Sequence, residues 1–223
     1  MTFLELCRTL REEAAMSGSG PSSVLNQTGQ MKQVVDWINR AYQHIQNDQI
    51  HWSFMRQPFS FDTIAGEQIY TATAVGLPEF GEWAMNKFKV KPENTVTEQY
   101  MIPVSWDYFD NAFRIGTTRT AQGYPVYVAQ QPDMALTFWP IPSAVFTIHG
   151  EYFMKAQTLI NNTDEPVFPA RFHMAIVWKA LMYYANYYAA DERYVFAENE
   201  YRKLMHEMKR SQTPLATWGQ TLA

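Results

Sequence analysis

Cysteine is nearly absent from this chain of 223 residues: Cys7 stands alone, so no disulfide can form within it, as expected for folding in a reducing cytoplasm. Cys7 falls at helical spacing among Phe3, Leu6 and Leu10, which makes it a packing residue. Charge is sparse at 18% of residues, with 18 Lys and Arg against 22 Asp and Glu for a net charge of −4. That balance excludes the general basic field by which nucleic-acid binders hold phosphates. Long hydrophobic runs are also missing. The best candidate, Phe172 to Ala190, is interrupted by Lys179 and carries the hydroxyls of Tyr183, Tyr184, Tyr187 and Tyr188, so it reads as a bundle helix and no membrane is expected. Arg8, Arg11, Glu12 and Glu13 break the apolar stretch that a signal peptide needs.

The residues of common chemistries are thin as well. The one glycine-dense site, Gly18-Ser19-Gly20, lacks the following lysine of a phosphate-binding loop. His44, His51, His149, His173 and His206 include no His-x-x-x-His pair, and there is one thiol, so no metal is expected. His44 and His51, two helical turns apart, would share a face as boundary residues. The carboxylate pairs Asp107/Asp110, Glu12/Glu13, Asp164/Glu165 and Asp191/Glu192 are explained as a helix cap, helix surface charge, a loop and a helix start. No nucleophile elbow or local Cys–His pairing occurs. The chain is read as having no catalytic residues and no cofactor.

What the chain does have is aromatic mass: seven Trp, thirteen Tyr and fourteen Phe, with twelve Met. Such residues fill cores and subunit interfaces, and a lightly charged surface around them favours self-association. Thr2 and Glu5 have the spacing of a capping box ahead of the stripe Phe3, Leu6, Cys7, Leu10, Ala14. Ser17 to Ser23 reads as a loop. A second helix, capped by Thr28, is expected to run to about residue 52 through Met31, Val34, Val35, Ile38, Ala41, Tyr42, Ile45 and Trp52. From Pro58 the period shortens to two, as in Phe59/Phe61, Leu136/Phe138 and Phe146/Ile148, and frequent prolines exclude long helices. Short antiparallel strands follow, with a helix over 105–113 and a three-stranded meander over 124–154. Pro166 and Pro169 flank the start of a third helix, and Asp191 is placed as the cap of a fourth.

The fold class expected is α+β: a helical bundle of 1–57 and 166–210, an inserted β-rich module of 58–165, and an extended C-terminal arm of 211–223. The inserted stretch holds six basic and twelve acidic residues. The arm is uncharged yet carries Leu215, Trp218 and Leu222, which suits docking on another molecule.

Three stretches carry a family likeness. They are Ser17-Gly18-Ser19-Gly20-Pro21 with the helix Lys32 to Gln46, the strand and turn Leu136-Thr137-Phe138-Trp139-Pro140-Ile141-Pro142, and Tyr183-Tyr184 followed by Glu198-Asn199-Glu200-Tyr201. Together they resemble the head-to-tail adaptor proteins of tailed bacteriophages. The resemblance implies a virion structural protein, assembled in host cytoplasm as a ring of twelve copies between the portal and the tail or nozzle. It implies a channel through which DNA passes without specific binding, and a C-terminal extension gripping the portal, here residues 211–223. Arg202, Lys203, Lys209 and Arg210 would orient that arm toward an acidic portal surface, or equally complement the end of their own helix. Acids of the middle module would face the channel, since each phosphate contact adds affinity to something that must slide. The long middle region departs from the family pattern. Two other classes stay open: a monomeric module binding a tail or host protein, and a cell-wall hydrolase, which would need a cleft holding a carboxylate of raised pKa.

Overall fold

The structure is a computed structural model that describes residues 1–18, 20–49, 51–93 and 95–212. The described residues pack as two units, 1–55 with 156–212, and Arg56–Lys155.

In the first unit, α1 (Phe3–Glu13) opens with the reciprocal cap expected of its sequence: Glu5 N donates to Thr2 Oγ1 at 3.3 Å and Thr2 N donates to a Glu5 carboxylate oxygen at 2.9 Å. Phe3, Leu6, Cys7, Leu10 and Ala14 are all buried. Burial pushes the Cys7 thiol up to about 12, so it stays a neutral packing group.

Helix α2 (Gly29–Asn47) starts after Thr28, whose side chain makes no capping bond. It ends five residues short of the expected Trp52. The chain turns back after Asp48, and the buried Trp52 indole donates to Ile45 O at 3.1 Å and stacks on Phe54 with centroids 5.2 Å apart. An apolar residue in register with the stripe therefore reaches the core by reversal, closing a helix-end carbonyl as it does so. His51 consequently lies off the helix, and His44 and His51 share no helical face.

Residues 156–165, expected among the strands, pack with the helices. Two amide side chains of α2 hold them. Asn39 donates to Leu159 O at 3.0 Å and accepts from Leu159 N at 2.9 Å. Gln46 donates to Gln157 O at 3.0 Å and accepts from Gln157 N at 2.9 Å. Each amide thus pairs with a residue's N–H and C=O as a neighbouring strand would.

Pro169 leads into one tight turn over Ala170–Phe172 and then α4 (Met174–Tyr188), which buries Ala175, Ile176, Val177, Ala180, Leu181, Met182 and Ala185. It ends on Ala189 at φ 52°. Helix α5 (Asp191–Gln212) follows at once and buries Ala197, Met205 and Met208. Asp191 is its first helical residue, not its cap. Asp191 and Glu192 sit in the first turn, where negative charge suits the exposed N–H groups. The helix also runs past Arg210, so Ser211 and Gln212, assigned above to the arm, are helical. Leu215, Trp218 and Leu222 lie outside the described residues.

The second unit contains β1 (Arg56–Asp62), β2 (Ile69–Tyr70), β3 (Phe80–Trp83), β4 (Lys89–Pro92), β5 (Gln99–Tyr100), β6 (Ile102–Pro103), α3 (Trp106–Phe113), β7 (Gln122–Gly123), β8 (Tyr127–Gln130), β9 (Leu136–Trp139), β10 (Ile141–Pro142) and β11 (Phe146–Met154). One sheet runs β1-β11-β4-β5, with β3 also on β11, and another runs β2-β9-β8-β6. Strands β8 and β9 form the expected hairpin, but β11 does not continue it. The Pro-x-Pro segment after β9 is drawn into a parallel pairing of β10 with β7, and the chain then enters the other sheet. The three-stranded meander is therefore two strands. Nor are the strands all antiparallel, because β6 also runs parallel to β8. Local alternation marks a strand's faces but carries nothing about its neighbour's direction.

Between these strands lies an aromatic core that includes Tyr70, Trp83, Phe88, Phe138, Phe146 and Tyr152. Gly150 of β11 sits opposite Phe59 of β1, and the Phe59 ring occupies the place a side chain would take. The expected short helix is α3, with Ser105 Oγ accepting from Tyr108 N at 3.3 Å. It buries Phe109 and Phe113, and Phe113 stacks on Trp139 at 4.2 Å and 14°.

Candidate functional site

Neither unit assembles a reaction centre from the residues singled out above. Among the described residues no group of three or more His, Cys, Asp or Glu is placed to hold a metal ion, and none of their helices is long and apolar enough to cross a membrane. The carboxylate pairs have structural surroundings. Asp110 pairs with Arg114 at 2.8 Å. Asp164 accepts from Ile160 N at 2.7 Å and Asn161 N at 2.8 Å, and those backbone donors hold its carboxyl below the usual range.

The chemistry that is present lies on the surface of the helical unit. The four cations assigned to the arm's root all sit on α5, and three are engaged inside the chain. Arg202 pairs with Glu198 at 2.7 Å, Lys203 with Glu200, and Lys209 with Asp48 of α2 at 2.7 Å. Arg210 makes no ion pair among the described residues and is exposed beside Arg171, Phe172, Glu207 and Ser211. Arg202 and Lys203 flank a shallow concavity with Phe196, Asn199 and His206.

A second group of cations emerges where α4 is flanked by α2 and α5. The Arg40 guanidinium lies 4.5 Å from the centre of the Tyr183 ring. Lys179 Nζ lies 5.5 Å from the same centre and 5.2 Å from that of Tyr201. These are cation–π distances, at which the ring faces partly replace water around the charge. Burial, offset in part by Asp48, lowers the Lys179 pKa, and burial with the nearby Lys179 charge lowers that of His44. Burial raises the Tyr183 and Tyr201 hydroxyls, so both stay protonated donors. The charge of Lys179 inside an apolar segment was the one sequence signal for this site. Arg40 and Tyr201 gave none, because they meet Lys179 only through tertiary packing.

At the end of α4 and the start of α5, Tyr187, Tyr188, Val195 and Phe196 are 44–62% exposed. Trp37 of α2 backs the first two with centroids at 5.8 and 6.5 Å. The β unit shows a different face: Lys89 and His149 both approach Glu98, at 3.1 and 3.7 Å. Its acidic surplus is smaller than the middle stretch suggested. Residues 56–155 hold seven basic and ten acidic side chains, because Asp164 and Glu165 go with the helices and Arg56 with the strands.

The helical unit thus presents ion-paired cations on α5 and exposed aromatic side chains at the α4–α5 corner. A family model described as SU10 adaptor protein matches residues 1–220. No curated protein matches the chain.

Proposed function

Since the chain belongs to the SU10 adaptor protein family, a family of phage adaptors, we propose that it joins the portal to the tail or nozzle as a ring of identical copies around the DNA channel. The observation that carries this reading is the family match across residues 1–220. The surface supports it, because exposed aromatic side chains such as Tyr187, Tyr188 and Phe196 are poor solvent-facing design and good contact material. Twelve copies would match the portal's symmetry. The arm, Leu215, Trp218 and Leu222, would dock on the portal by burying apolar area without a charge penalty. Of the four cations at its root, Arg210 is the one in no ion pair among the described residues, so it is the residue proposed to meet an acidic portal surface. Acids of the β unit would face the channel. With a surplus of three over residues 56–155 they would deter phosphate binding weakly.

Sedimentation velocity with and without a portal ring tests this. The expected result is a large complex on the portal that is lost when residues 213–223 are removed. A chain that stays monomeric at all concentrations and ignores the portal would overturn it.

A further inference from the structure

We infer that the α2–α4–α5 seam receives the acidic corner, Asp191 and Glu192, of a neighbouring copy. The inference rests on the ring reading and names the surfaces that meet. On one side stand Arg40 and Lys179, each held against tyrosine rings and neither in an ion pair among the described residues. The acids nearest to them are engaged elsewhere, Asp48 with Lys209 at 2.7 Å and Glu198 with Arg202 at 2.7 Å. Lys179 is half-buried, so its charge has given up hydration while the two carboxylates that bear on it, Asp48 and Glu198, are committed to other cations. That is the condition under which an incoming anion gains most.

The matching anion is on the same chain. Asp191 and Glu192 are exposed and form no ion pair among the described residues. They stand between Tyr187 at 62% and Tyr188 at 44% exposure on one side and Val195 at 56% and Phe196 at 53% on the other. Acids flanked by exposed apolar and aromatic side chains offer both the charge and the contact area that a protein contact uses. Tyr183 and Tyr201 hydroxyls are available as further donors to the carboxylates. The seam and the corner share no residue, as a head-to-tail contact requires of the two surfaces it joins. Such head-to-tail contact propagates and closes into a ring when the rotation per copy allows.

The test is charge reversal read by sedimentation velocity of the full chain, alone and on portal rings. Arg40→Glu with Lys179→Glu should weaken self-association about tenfold or more, and Asp191→Lys with Glu192→Lys should do the same. Mixing the two reversed proteins should restore assembly to within about threefold of the unaltered chain. Arg40→Gln and Lys179→Gln, which keep shape without introducing repulsion, should show an intermediate loss with an unchanged circular-dichroism spectrum. If the unaltered chain never assembles, the ring reading fails. If it assembles and the reversed seam or the glutamine variants assemble equally well, the ring stands and the seam is refuted. Failure of the mixed proteins to recover overturns the pairing with Asp191 and Glu192.

Discussion

Gly150→Ala should destabilise the β unit, and Phe59→Leu should relieve most of that loss. A Cβ at residue 150 would lie 2.8 and 2.9 Å from two carbons of the Phe59 ring and 3.2 Å from the Phe88 ring. The Phe59 ring has little room to yield. Trp83 stands 5.2 Å away between centroids, Phe88 5.8 Å, Tyr152 6.0 Å and Phe61 6.2 Å. Overpacking of this kind costs about 1–3 kcal/mol. Replacing glycine in a strand returns about 0.5–1 kcal/mol of backbone entropy. The net loss for Gly150→Ala is therefore about 1 kcal/mol from the middle of the two ranges, and at most about 2.5 kcal/mol. Phe59→Leu alone gives up ring contacts worth about 1 kcal/mol. In the double variant the smaller side chain vacates the space the methyl needs, so the combined loss should fall short of the sum by about 1 kcal/mol. Urea unfolding followed by tryptophan fluorescence measures all four proteins, with Trp83 reporting from within the cluster. Additivity to within about 0.5 kcal/mol would show that the contact is not what makes residue 150 glycine.

Asn39→Ala strips Leu159 of both hydrogen-bond partners and should cost about 1–3 kcal/mol; a thermal midpoint within a degree of the parent would refute the strand-like role of that amide. For His173, 2% exposed, burial holds the pKa below the ordinary 6.5, partly countered by the Phe168 carbonyl 3.0 Å from Nε2. Well above pH 6.5 the ring is neutral in both states. As pH falls below that, the unfolded chain takes the proton first, so stability declines until the folded pKa is passed. His173→Gln should flatten the profile of stability between pH 7.5 and 5, and equal slopes would assign the decline elsewhere. Cys7, with its thiol near 12, has on the order of one molecule in ten thousand ionised at pH 8. A disulfide reagent should label it only in denaturant; rapid labelling of the native protein would contradict its burial.

What the sequence displayed was what short range determines. The capping pair Thr2 and Glu5 is three residues apart, and the buried stripe of α1 repeats within one helix, so both can be read directly along the chain. The helix over 105–113 announced itself through Ser105 and the aromatics behind it for the same reason. Trp52 misled because being in register with a stripe and being on the helix look alike in one dimension. The meander failed because alternation in 144–154 fixes which residues of β11 face inward but not that β1 and β4, and not β9, would claim its edges. Asn39 and Gln46 were invisible as structural residues, since their partners lie 120 and 111 positions away. The seam was equally hidden: Arg40, Lys179 and Tyr201 come from three helices, and only the anomalous lysine stood out.

Strand β1 leaves the helices at Arg56, and its first residue is paired across the sheet with Phe153, two residues before the chain returns at Lys155. Departure and return are thus stitched side by side. Everything between them is, for the helical path, a detachable cassette. Evolution can enlarge, trim or exchange it while the helices keep closing over the same short gap.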